Sequence, residues 1–547
     1  MTDTLRGADI VARCLELAGV STVFTLSGNH IMSLFDAAIG TSLDLVHVRQ
    51  EAAAVHMADA WGRLTGRPGV AMVTGGPGQA NAVPALFTAL SQDSPLVLLA
   101  GSHATWEDGR GGFQEIDQAA LAAPVAKASW TATTAAGIGL DVARAFRIAS
   151  SGRPGPVHLS LPSDLLDEDV PVDAIRWPGA EDFASAPTGL PEAAAMAAAA
   201  LIAAAATPLL IAGPQLASRA GRALLARIEA AFNMPACIME SPRSTNDATW
   251  GALGDVIKQA DLVVLLGKKL DFTLKFGAVP VFDPATKVLM IEPDAETLAR
   301  GARELGPRLA LGLLADSLPG GEALLEAAAG AIGAPAWLAQ VLRLLHDRPA
   351  SWPSMRSKTP GKLHPIEVAR GLKPFVDADP DCILICDGGE YAQWAQSLIR
   401  CERRLVNGVA GAIGVSLPFA GAARMVERRA PVFAVLGDGT FGFHMAEFET
   451  AVRRGLPFVA VVGTDARWNA EHNIQVRDYG AQRAYGCALM DTRYDLVVAA
   501  LGGHGELVER VEDLAPAIER ALASGKPACV NVMIESHAAP TVRARDL

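Results

Sequence analysis

Two aspartates follow two apolar runs in the C-terminal third of the chain. Asp438 lies in the turn Gly437–Thr440, directly after the run PVFAVL, and Asp465 comes directly after the run PFVAVVG and Thr464. Both runs are typical of buried strands, and open parallel sheets bind ligands at the carboxyl ends of their strands. Glycines in such a turn let backbone N–H groups approach a phosphate, and carboxylate oxygens suit Mg²⁺. The segment therefore predicts a site for a phosphate group and a divalent cation.

A glycine–aspartate–glycine sequence alone is as typical of an ordinary tight turn between a strand and a helix. The whole combination is more specific: a strand, GDG, a helix containing ExET, a second strand, and then an acid or amide. In this combination the segment resembles the thiamine diphosphate (ThDP) motif of the superfamily of acetolactate synthases, benzaldehyde lyases and 2-hydroxyacyl-CoA lyases. That motif ends in Asn-Asn, whereas this chain has Thr464-Asp465. An aspartate can still ligate Mg²⁺ through a carboxylate oxygen.

The resemblance implies which residues bind the diphosphate and the metal. The expected Mg²⁺ ligands are the side chains of Asp438 and Asp465 and the backbone carbonyl of Arg467. The residues expected to bind ThDP in this region follow strands or glycine-rich turns: Gly388, Gly389, Glu390, Ile413, Gly437, Asp438, Gly439, Thr440 and Asp465. Ile413 would wedge the cofactor into its bent shape, although an ordinary core isoleucine fits the sequence equally. Trp468 and Ala470 are candidates for the wall of the substrate site.

The expected catalytic residues lie in the N-terminal third, and the resemblance again assigns them. Glu51 ends the predicted strand LDLVHVRQE. In the stretch VRQEAAAVHMADAWGRLTG it lies where the family places its indispensable glutamate. A carboxyl there hydrogen-bonds the pyrimidine ring and favours the tautomer whose nitrogen takes the proton from the reactive C2 carbon. His30, in SGNH, resembles a histidine that benzaldehyde lyases direct at the substrate carbonyl. Gln114, in GGFQEIDQ, matches a family glutamine that reaches the reaction centre.

Two further residues, Gly76 and Asn81 in GGPGQAN, are expected to line the pyrimidine and brace the fold beside it. Each catalytic candidate also has an ordinary interpretation from its residue type alone. Glu51 is equally typical of a solvated charge in the first turn of a helix. His30 could be a core or solvated histidine, and Gln114 could belong to a surface loop.

Composition limits the function classes. The chain has 547 residues, half of them hydrophobic, enough for roughly three to four domains with large cores. A formal net charge of −12 argues against a nucleic-acid-binding surface. The start, MTDTLRGADI, lacks the apolar core of a signal peptide, and the Ala-rich run around 193–206 is too short to span a membrane. Seven scattered cysteines without a paired CxxC pattern indicate buried thiols rather than zinc, in a reducing cytoplasm.

Strands alternate with helices along the whole chain, which predicts the α/β class with doubly wound parallel sheets. Two stretches rich in proline or acids separate three such regions. We therefore expect these segments: a domain at 1–165, a linker at 166–190, a central domain at 191–345, a linker at 346–362 and a third domain at 363–547. Their order matches the family's pyrimidine-binding, central and diphosphate-binding domains, and the resemblance covers nearly the whole chain.

The resemblance predicts a carbon–carbon lyase or carboligase that uses ThDP and Mg²⁺ and acts on an acyl-CoA, a 2-oxo acid or an aldehyde. The segment KKLDFTLKFG is more similar to 2-hydroxyacyl-CoA and oxalyl-CoA enzymes, and the acetolactate-synthase-like sequence LGMVxQWQ is absent after the metal site. The favoured activity is therefore a 2-hydroxyacyl-CoA lyase, which gives an aldehyde or ketone and formyl-CoA. The alternatives are an acetolactate synthase-like carboligase and a benzaldehyde lyase-like acyloin lyase.

Other expectations concern the central domain and the assembly. The central domain could bind ADP or CoA, whereas no flavin fingerprint is seen, so FAD is not expected. In the family, the counterparts of Glu51 and of the GDG motif serve one cofactor from two different chains, which implies a dimer or tetramer with active sites at the subunit interface. A catalytically silent relative is the contrasting hypothesis, but its mark would be the loss of Glu51 or Asp438, and both are present. A nucleotide-binding protein that uses no ThDP is a further alternative.

Overall fold

The structure, a computed structural model, describes residues 3–328 and 334–546. The chain divides into two compact units: residues 1–186 with 421–426, and residues 187–420 with 427–547. The first unit contains one six-stranded parallel sheet, and the second contains a five-stranded and a six-stranded parallel sheet. The predicted α/β class with three doubly wound parallel sheets is confirmed. The predicted domain boundaries stay predictions.

The sheet of the first unit has the strand order β3-β2-β4-β5-β7-β6, and β1 pairs with β8 in a separate antiparallel ribbon. All residues of β4, β5 and β7 are buried, as expected of strands covered by helices on both faces. The strands are β1 (Thr4–Arg6), β2 (Thr22–Thr25), β3 (Asp44–His47), β4 (Gly69–Val73), β5 (Leu96–Ser102), β6 (Ala128–Thr131), β7 (Pro156–Pro162) and β8 (Asp169–Pro171). The helices are α1 (Gly7–Leu17), α2 (Met32–Ala37), α3 (Glu51–Thr65), α4 (Pro77–Ser91), α5 (Gln118–Ala122), α6 (Ile138–Ser150) and α7 (Ser163–Asp167).

One local expectation for this unit is wrong, and one predicted linker contains a short strand. The strand predicted to run up to Glu51 ends at His47, and Glu51 is the first residue of α3. The change of conformation is set by Gln50, whose side chain caps the helix by accepting a hydrogen bond from the Ala53 N–H at 3.2 Å. Part of the linker predicted at 166–190 is regular structure, because β8 pairs with β1.

The central sheet has the order β10-β9-β11-β12-β13. Alternate residues of β9 and β11 belong to two different apolar cores, one on each face, so helices cover both sides of this sheet. The strands are β9 (Pro208–Ala212), β10 (Ala236–Ile238), β11 (Leu262–Leu266), β12 (Lys287–Glu292) and β13 (Leu309–Leu314). The helices are α8 (Glu192–Ala204), α9 (Arg219–Phe232), α10 (Leu253–Ile257), α11 (Ala295–Leu305), α12 (Ser317–Glu326) and α13 (Pro335–His346).

The third sheet has the order β15-β14-β16-β17-β19-β18, which is the same order as in the first unit when strands are counted within each sheet. In both sheets the chain reverses its direction of winding between the first strand and the third. The strands are β14 (Ile383–Asp387), β15 (Arg403–Val406), β16 (Val432–Gly437), β17 (Val459–Thr464), β18 (His504–Val508) and β19 (Ala528–Met533). The helices are α14 (Pro365–Asp377), α15 (Tyr391–Leu398), α16 (Ser416–Val426), α17 (Asp438–His444), α18 (Glu447–Arg453), α19 (Asn469–Tyr479), α20 (Tyr494–Ala500) and α21 (Val511–Ala523).

Two features predicted from composition concern the cysteines and the apolar helices. All seven cysteines are free thiols, and six of them are buried, while Cys401 is half-buried. Among residues 3–328 and 334–546, no helix combines the length and the apolar character required to cross a membrane.

Candidate active site

A cavity of about 210 Å³ opens at the carboxyl ends of β14, β16 and β17. Because β14 and β16 flank the point where the winding of this sheet reverses, the cavity lies where open α/β sheets bind their ligands. The structure brings together here all the residues predicted to bind the diphosphate and metal: Gly388, Gly389, Glu390, Ile413, Gly437, Asp438, Gly439, Thr440, Asp465 and Arg467. Trp468 and Ala470, predicted for the substrate wall, also line it.

Asp438 is the first residue of α17 and is almost completely buried. Its Oδ1 accepts a hydrogen bond from the Gly439 N–H at 2.9 Å, and its Oδ2 accepts one from the Ala466 N–H at 2.8 Å. Burial, and after it the charge of Asp465, raises the pKa of this carboxyl to about 7. The carboxyl group is thus held in place, and its raised pKa means that ionising it costs more free energy than ionising an exposed aspartate.

Asp465 follows β17 and lines the same cavity. Burial raises the pKa of its carboxyl, and the Ser536 hydroxyl and the charge of Arg467 oppose this shift. Two neighbouring carboxyl groups that both resist ionisation are a donor set that fits a divalent cation, because the cation neutralises both charges. Thr464, which stands where the family has its first Asn, instead donates a hydrogen bond to Asn531 in the core at 2.6 Å.

Glycines shape the floor of this cavity. Gly388 has a φ of 57°, and a Cβ atom on it would lie 2.6 Å from Ile413 Cγ2 and 3.0 Å from Thr440 Oγ1. The predicted cofactor wedge Ile413 therefore packs against backbone that only glycine can supply. At Gly389 and Gly437 a Cβ would meet no heavy atom within 4 Å, so the backbone there is open to an approaching phosphate.

The expected catalytic glutamate belongs to the first unit. Asn81 Nδ2 donates a hydrogen bond to Glu51 Oε2 at 3.1 Å, so the two predicted residues are direct partners. Gly78 explains the close approach of this pair to β4: a Cβ there would lie 2.7 Å from Thr74 Cγ2 and 3.5 Å from Glu51 Oε1. Glu51 thus lies at the carboxyl edge of the first sheet, beside the turn that follows β4.

His30 lies at the same edge and is buried. Its Nδ1 is 3.2 Å from Thr74 Oγ1, and its ring stacks on Phe113 with the ring centroids 5.9 Å apart. Burial lowers the pKa of His30, so the imidazole is neutral near pH 7. Thr74 therefore contacts His30 directly, and Gly78 lies close to both Thr74 and Glu51.

Gln114 and Gly76 also meet at this edge. Gln114 has a φ of 60°, and a Cβ on Gly76 would lie 2.6 Å from Gln114 Cβ. The Gly76 N–H donates a hydrogen bond to Gln118 Oε1 at 2.8 Å, which fixes the turn against the start of α5. Gly76 and Gln114 thus join Glu51, His30 and Asn81 around the winding reversal between β2 and β4.

Two regions of the chain match models of known protein families. Residues 5–121 match the model of the thiamine pyrophosphate enzyme N-terminal TPP binding domain, and residues 387–532 match that of the C-terminal TPP binding domain. A probable acetolactate synthase of Mycobacterium bovis is 32% identical over 552 residues, which cover 97% of this chain and 96% of that protein. The chain belongs to the thiamine pyrophosphate-dependent enzyme family.

Relatives of this thiamine pyrophosphate enzyme carry two names. The 2-hydroxyacyl-CoA lyase 2 of Danio rerio is 30% identical, over 96% of this chain and 91% of that protein. The acetolactate synthase of Bacillus subtilis is 30% identical, over 97% of this chain and 93% of that protein. The predicted superfamily and the prediction of an enzyme are confirmed. Thiamine pyrophosphate is another name for the ThDP that the sequence predicted.

Three residues that lie beside the two groups of candidate residues were not among the individually predicted site residues. Arg243, which comes from the segment after β10, lines the cavity and forms a 2.8 Å ion pair with Glu390. Asp387 is fully buried, and its Oδ2 accepts hydrogen bonds from the Gly414 N–H at 3.0 Å and the Ser416 N–H at 2.9 Å. Thr74 is the third. Asp387 and Thr74 follow the general signal of a polar residue at a strand end, whereas no local pattern marks Arg243.

The pair with Arg243 changes the interpretation of Glu390. Its carboxylate also accepts a hydrogen bond from the Ala539 N–H. With both partners in place, the Glu390 side chain is engaged by protein groups, and its expected contribution to cofactor binding stays a prediction. Its ion pair instead joins the α15 start to the segment that follows β10.

Proposed function

We propose that this enzyme is a Mg²⁺-dependent carbon–carbon lyase that splits a 2-hydroxyacyl-CoA reversibly into an aldehyde or ketone and formyl-CoA. The observation that carries the proposal is His30: a buried, neutral imidazole held by a hydroxyl at the edge where Glu51 lies. Breaking the bond beside a 2-hydroxyl group requires that the hydroxyl lose its proton. A neutral imidazole in a fixed orientation is suited to accept that proton.

The remaining roles follow from the two groups of residues described above. ThDP, when bound, supplies the nucleophilic carbon that adds to the substrate and holds the electron pair left by cleavage. Asp438, Asp465 and the Arg467 carbonyl would hold Mg²⁺ against the diphosphate, with the open backbone at Gly389 and Gly437 beside it. Glu51 would hold a proton at the pyrimidine ring, and Asn81 orients its carboxylate.

An acetolactate synthase-like carboligase is the second candidate. Two observations favour it. The relatives named acetolactate synthase include one aligned over 96% of its own length. In addition, Lys268, in the segment that resembled CoA enzymes, is buried, and its ammonium lies 2.9 Å from Asp271 Oδ1. This lysine is therefore engaged within the central domain, and the segment gives less support to a CoA substrate.

Two parallel assays on the protein loaded with ThDP and Mg²⁺ distinguish the candidates. One supplies a short 2-hydroxyacyl-CoA and follows formyl-CoA, and the other supplies pyruvate and follows acetolactate. Formyl-CoA release without acetolactate is the expected result. Acetolactate alone would replace the proposed substrate with a 2-oxo acid, and the absence of both products would contradict both candidates.

The role of His30 has its own test. His30→Gln should lower kcat for 2-hydroxyacyl-CoA cleavage by about 10²- to 10⁴-fold, the usual contribution of a general base, without weakening ThDP binding. Thr74→Val should lower kcat less and shift the acidic limb of the pH profile, because Thr74 acts only through the imidazole. Thr88→Val is the control, since Thr88 is a buried threonine of the same unit and its hydroxyl has no hydrogen-bond partner among the described residues. Equal effects of the two threonine variants would exclude a positioning role for Thr74.

A further inference from the structure

A second cavity, of about 240 Å³, lies in the unit that contains the central and third sheets. It is lined by residues near the start of α9, the end of α13 and the end of α15, and by the start of β15. It shares no lining residue with the candidate active-site cavity. Its charged and polar wall consists mainly of four arginines, one histidine and one glutamine: Arg222, Arg348, Arg400, Arg404, His346 and Gln396. One carboxylate, Glu402, also lines it.

Two of these arginines share one carboxylate. Arg404 is buried, and its Nη2 donates a hydrogen bond to Glu240 Oε1 at 2.6 Å. Arg222 Nη2 lies 3.8 Å from the same Glu240 oxygen, and its Nε donates to the Ala217 carbonyl at 3.0 Å. Among the described residues, neither Arg404 Nε nor Arg222 Nη2 has a hydrogen-bond partner. Donor capacity on both guanidinium groups is therefore unused.

The other two arginines bond to backbone rather than to acids. Arg348 donates to four carbonyls, including those of Ser397 at 2.6 Å and Thr249 at 2.9 Å, and these bonds neutralise no charge. Arg400 is exposed, and its Nη2 lies 3.4 Å from the His346 carbonyl. Burial, and after it the charge of Arg400, lowers the pKa of Arg348 to about 10. The hydrogen bonds of these two guanidinium groups thus go to carbonyl oxygens and not to carboxylates.

Four carboxyl groups also act on the four arginines of this wall. They are Glu240, Asp247, Asp347 and Glu402. Burial raises the pKa of the Asp247 carboxyl, so its negative charge is costly to maintain. The pKa values of Arg222, Arg348 and Arg400 are all lowered, with burial as the largest cause. A bound anion would offset the free-energy cost of burying these guanidinium groups, because it supplies the opposite charge.

Gln396 gives the independent indication of a ligand. Its side chain lines the cavity and is 2% exposed, yet neither the amide nitrogen nor the amide oxygen has a hydrogen-bond partner among the described residues. A buried amide without partners costs free energy that a ligand with complementary groups can recover. Together with Arg404 Nε and Arg222 Nη2, Gln396 leaves three donors and one acceptor at this wall.

We propose that this cavity binds a phosphate-class anion at a site separate from the diphosphate site of the cofactor. Guanidinium groups match the oxygen geometry of phosphate and can bind it through pairs of N–H donors. A hydrogen phosphate also carries one P–O–H donor, which suits the unpartnered oxygen of Gln396. The volume of the cavity exceeds that of one phosphate, so inorganic phosphate and pyrophosphate are both appropriate probes.

The test uses the holoenzyme, with ThDP and Mg²⁺ saturating the cofactor site, so that added phosphate cannot bind there. Phosphate and pyrophosphate are titrated separately by calorimetry at constant ionic strength, with chloride as the reference anion. Saturable binding with a Kd below about 1 mM is expected for at least one of the two probes. Chloride alone giving the same heat, or no saturable binding, would overturn the proposal.

Variants locate the binding. Arg400→Gln should weaken binding about tenfold or more, because a hydrogen bond to a charged group is lost. Arg300→Gln is the matched control, since Arg300 is an exposed arginine on α11 that does not line the cavity. Equal affinity in the two variants would place the anion elsewhere.

A substitution inside the cavity separates a ligand site from a structural role. Gln396→Leu should abolish phosphate binding while leaving the melting temperature of the phosphate-free holoenzyme unchanged or higher, because it removes two unsatisfied polar atoms. A large fall in that melting temperature would show that Gln396 serves the fold and would contradict the assignment. Alkylation of the half-buried Cys401, which lines the same cavity, should also slow when phosphate is added. An unchanged rate would argue against occupancy of this cavity.

Discussion

The amide of Asn81 donates a hydrogen bond to Glu51 Oε2 at 3.1 Å, which joins the first residue of α3 to the fifth residue of α4. A carboxylate that opens a helix is usually mobile and solvated. Here the amide restricts it, while Oε1 lies against the glycine turn after β4. The arrangement leaves the carboxyl group oriented yet still able to hold a proton.

The first prediction concerns this carboxyl group. Glu51→Gln should abolish turnover and leave ThDP affinity within about threefold of the wild type, because glutamine keeps the shape but cannot hold the proton at the ring. ThDP affinity is measured by fluorescence titration and turnover by product formation. Asn81→Ala should retain measurable turnover, lowered about tenfold, since it removes only the orienting bond. Near-normal activity of the glutamine variant would remove Glu51 from the mechanism.

The second prediction concerns pH. Burial and Asp465 raise the pKa of Asp438 to about 7, whereas an unfolded aspartate titrates near about 4. The folded metal-free protein therefore binds a proton that the unfolded chain has lost. Between about pH 4 and about pH 7, the contribution of this carboxyl group to the free energy of unfolding falls as the pH rises. Mg²⁺ requires the carboxylate, so its affinity should increase by up to about tenfold per pH unit below pH 7 and level off above it.

Calorimetry of Mg²⁺ and ThDP binding between pH 6 and 8 measures this dependence. Asp438→Ala is the control, because it should lose Mg²⁺-dependent retention of ThDP after dialysis at every pH. Affinity of the wild type that does not change with pH would contradict the assignment of Asp438 as a ligand that must lose a proton. Retention of ThDP by the alanine variant would contradict the metal site itself.

The third prediction tests the proposed assembly. The family resemblance places Glu51 and Asp438 of one active site on different chains. Glu51→Gln and Asp438→Ala proteins should each be inactive, yet mixed oligomers formed by unfolding and refolding them together should recover activity, because one site then has both native residues. The expected recovery approaches about a quarter of wild-type activity for random pairing of dimers. No recovery in mixed oligomers confirmed by mass spectrometry would place both residues on one chain.

The fourth prediction uses two adjacent glycines. Both Gly388 and Gly389 have a positive φ, so alanine at either costs about 1–2 kcal/mol of strain. Only at Gly388 does the new methyl group meet Ile413 and Thr440, which adds about 1–3 kcal/mol. Gly388→Ala should therefore lower the free energy of unfolding more than Gly389→Ala and should also weaken ThDP binding. Equal losses of unfolding free energy in denaturant titrations would show that backbone strain alone causes the destabilisation.

The sequence predicted the chemistry of the strand ends well, because apolar strands and glycine turns are local patterns. Asp438 and Asp465 lie in one cavity as expected, since adjacent parallel strands end at the same edge. Arg243 could not be predicted, because its position depends on how the segment after β10 packs against α15. Local patterns do not contain that information.

The errors in the N-terminal part have a local cause. The apolar pattern of β3 continues past its last residue, His47, and this pattern favoured a strand that runs on to Glu51. The Gln50 cap was the signal that would have corrected it, because a side-chain acceptor one residue before a helix marks its start. The short β8 within the predicted linker was hidden by its length, since a three-residue strand has no measurable period.

The common strand order of the first and third sheets has an evolutionary consequence. When strands are counted within each sheet, both read second, first, third, fourth, sixth, fifth. Duplication of one ancestral gene would produce this agreement directly. The ancestor would then have been a single-sheet protein with one crevice. One of its two descendants would have kept the carboxyl group proposed for proton transfer, and the other the carboxyl groups proposed to hold a metal. On this history, the surfaces now proposed for catalysis and for cofactor binding descend from one ancestral surface.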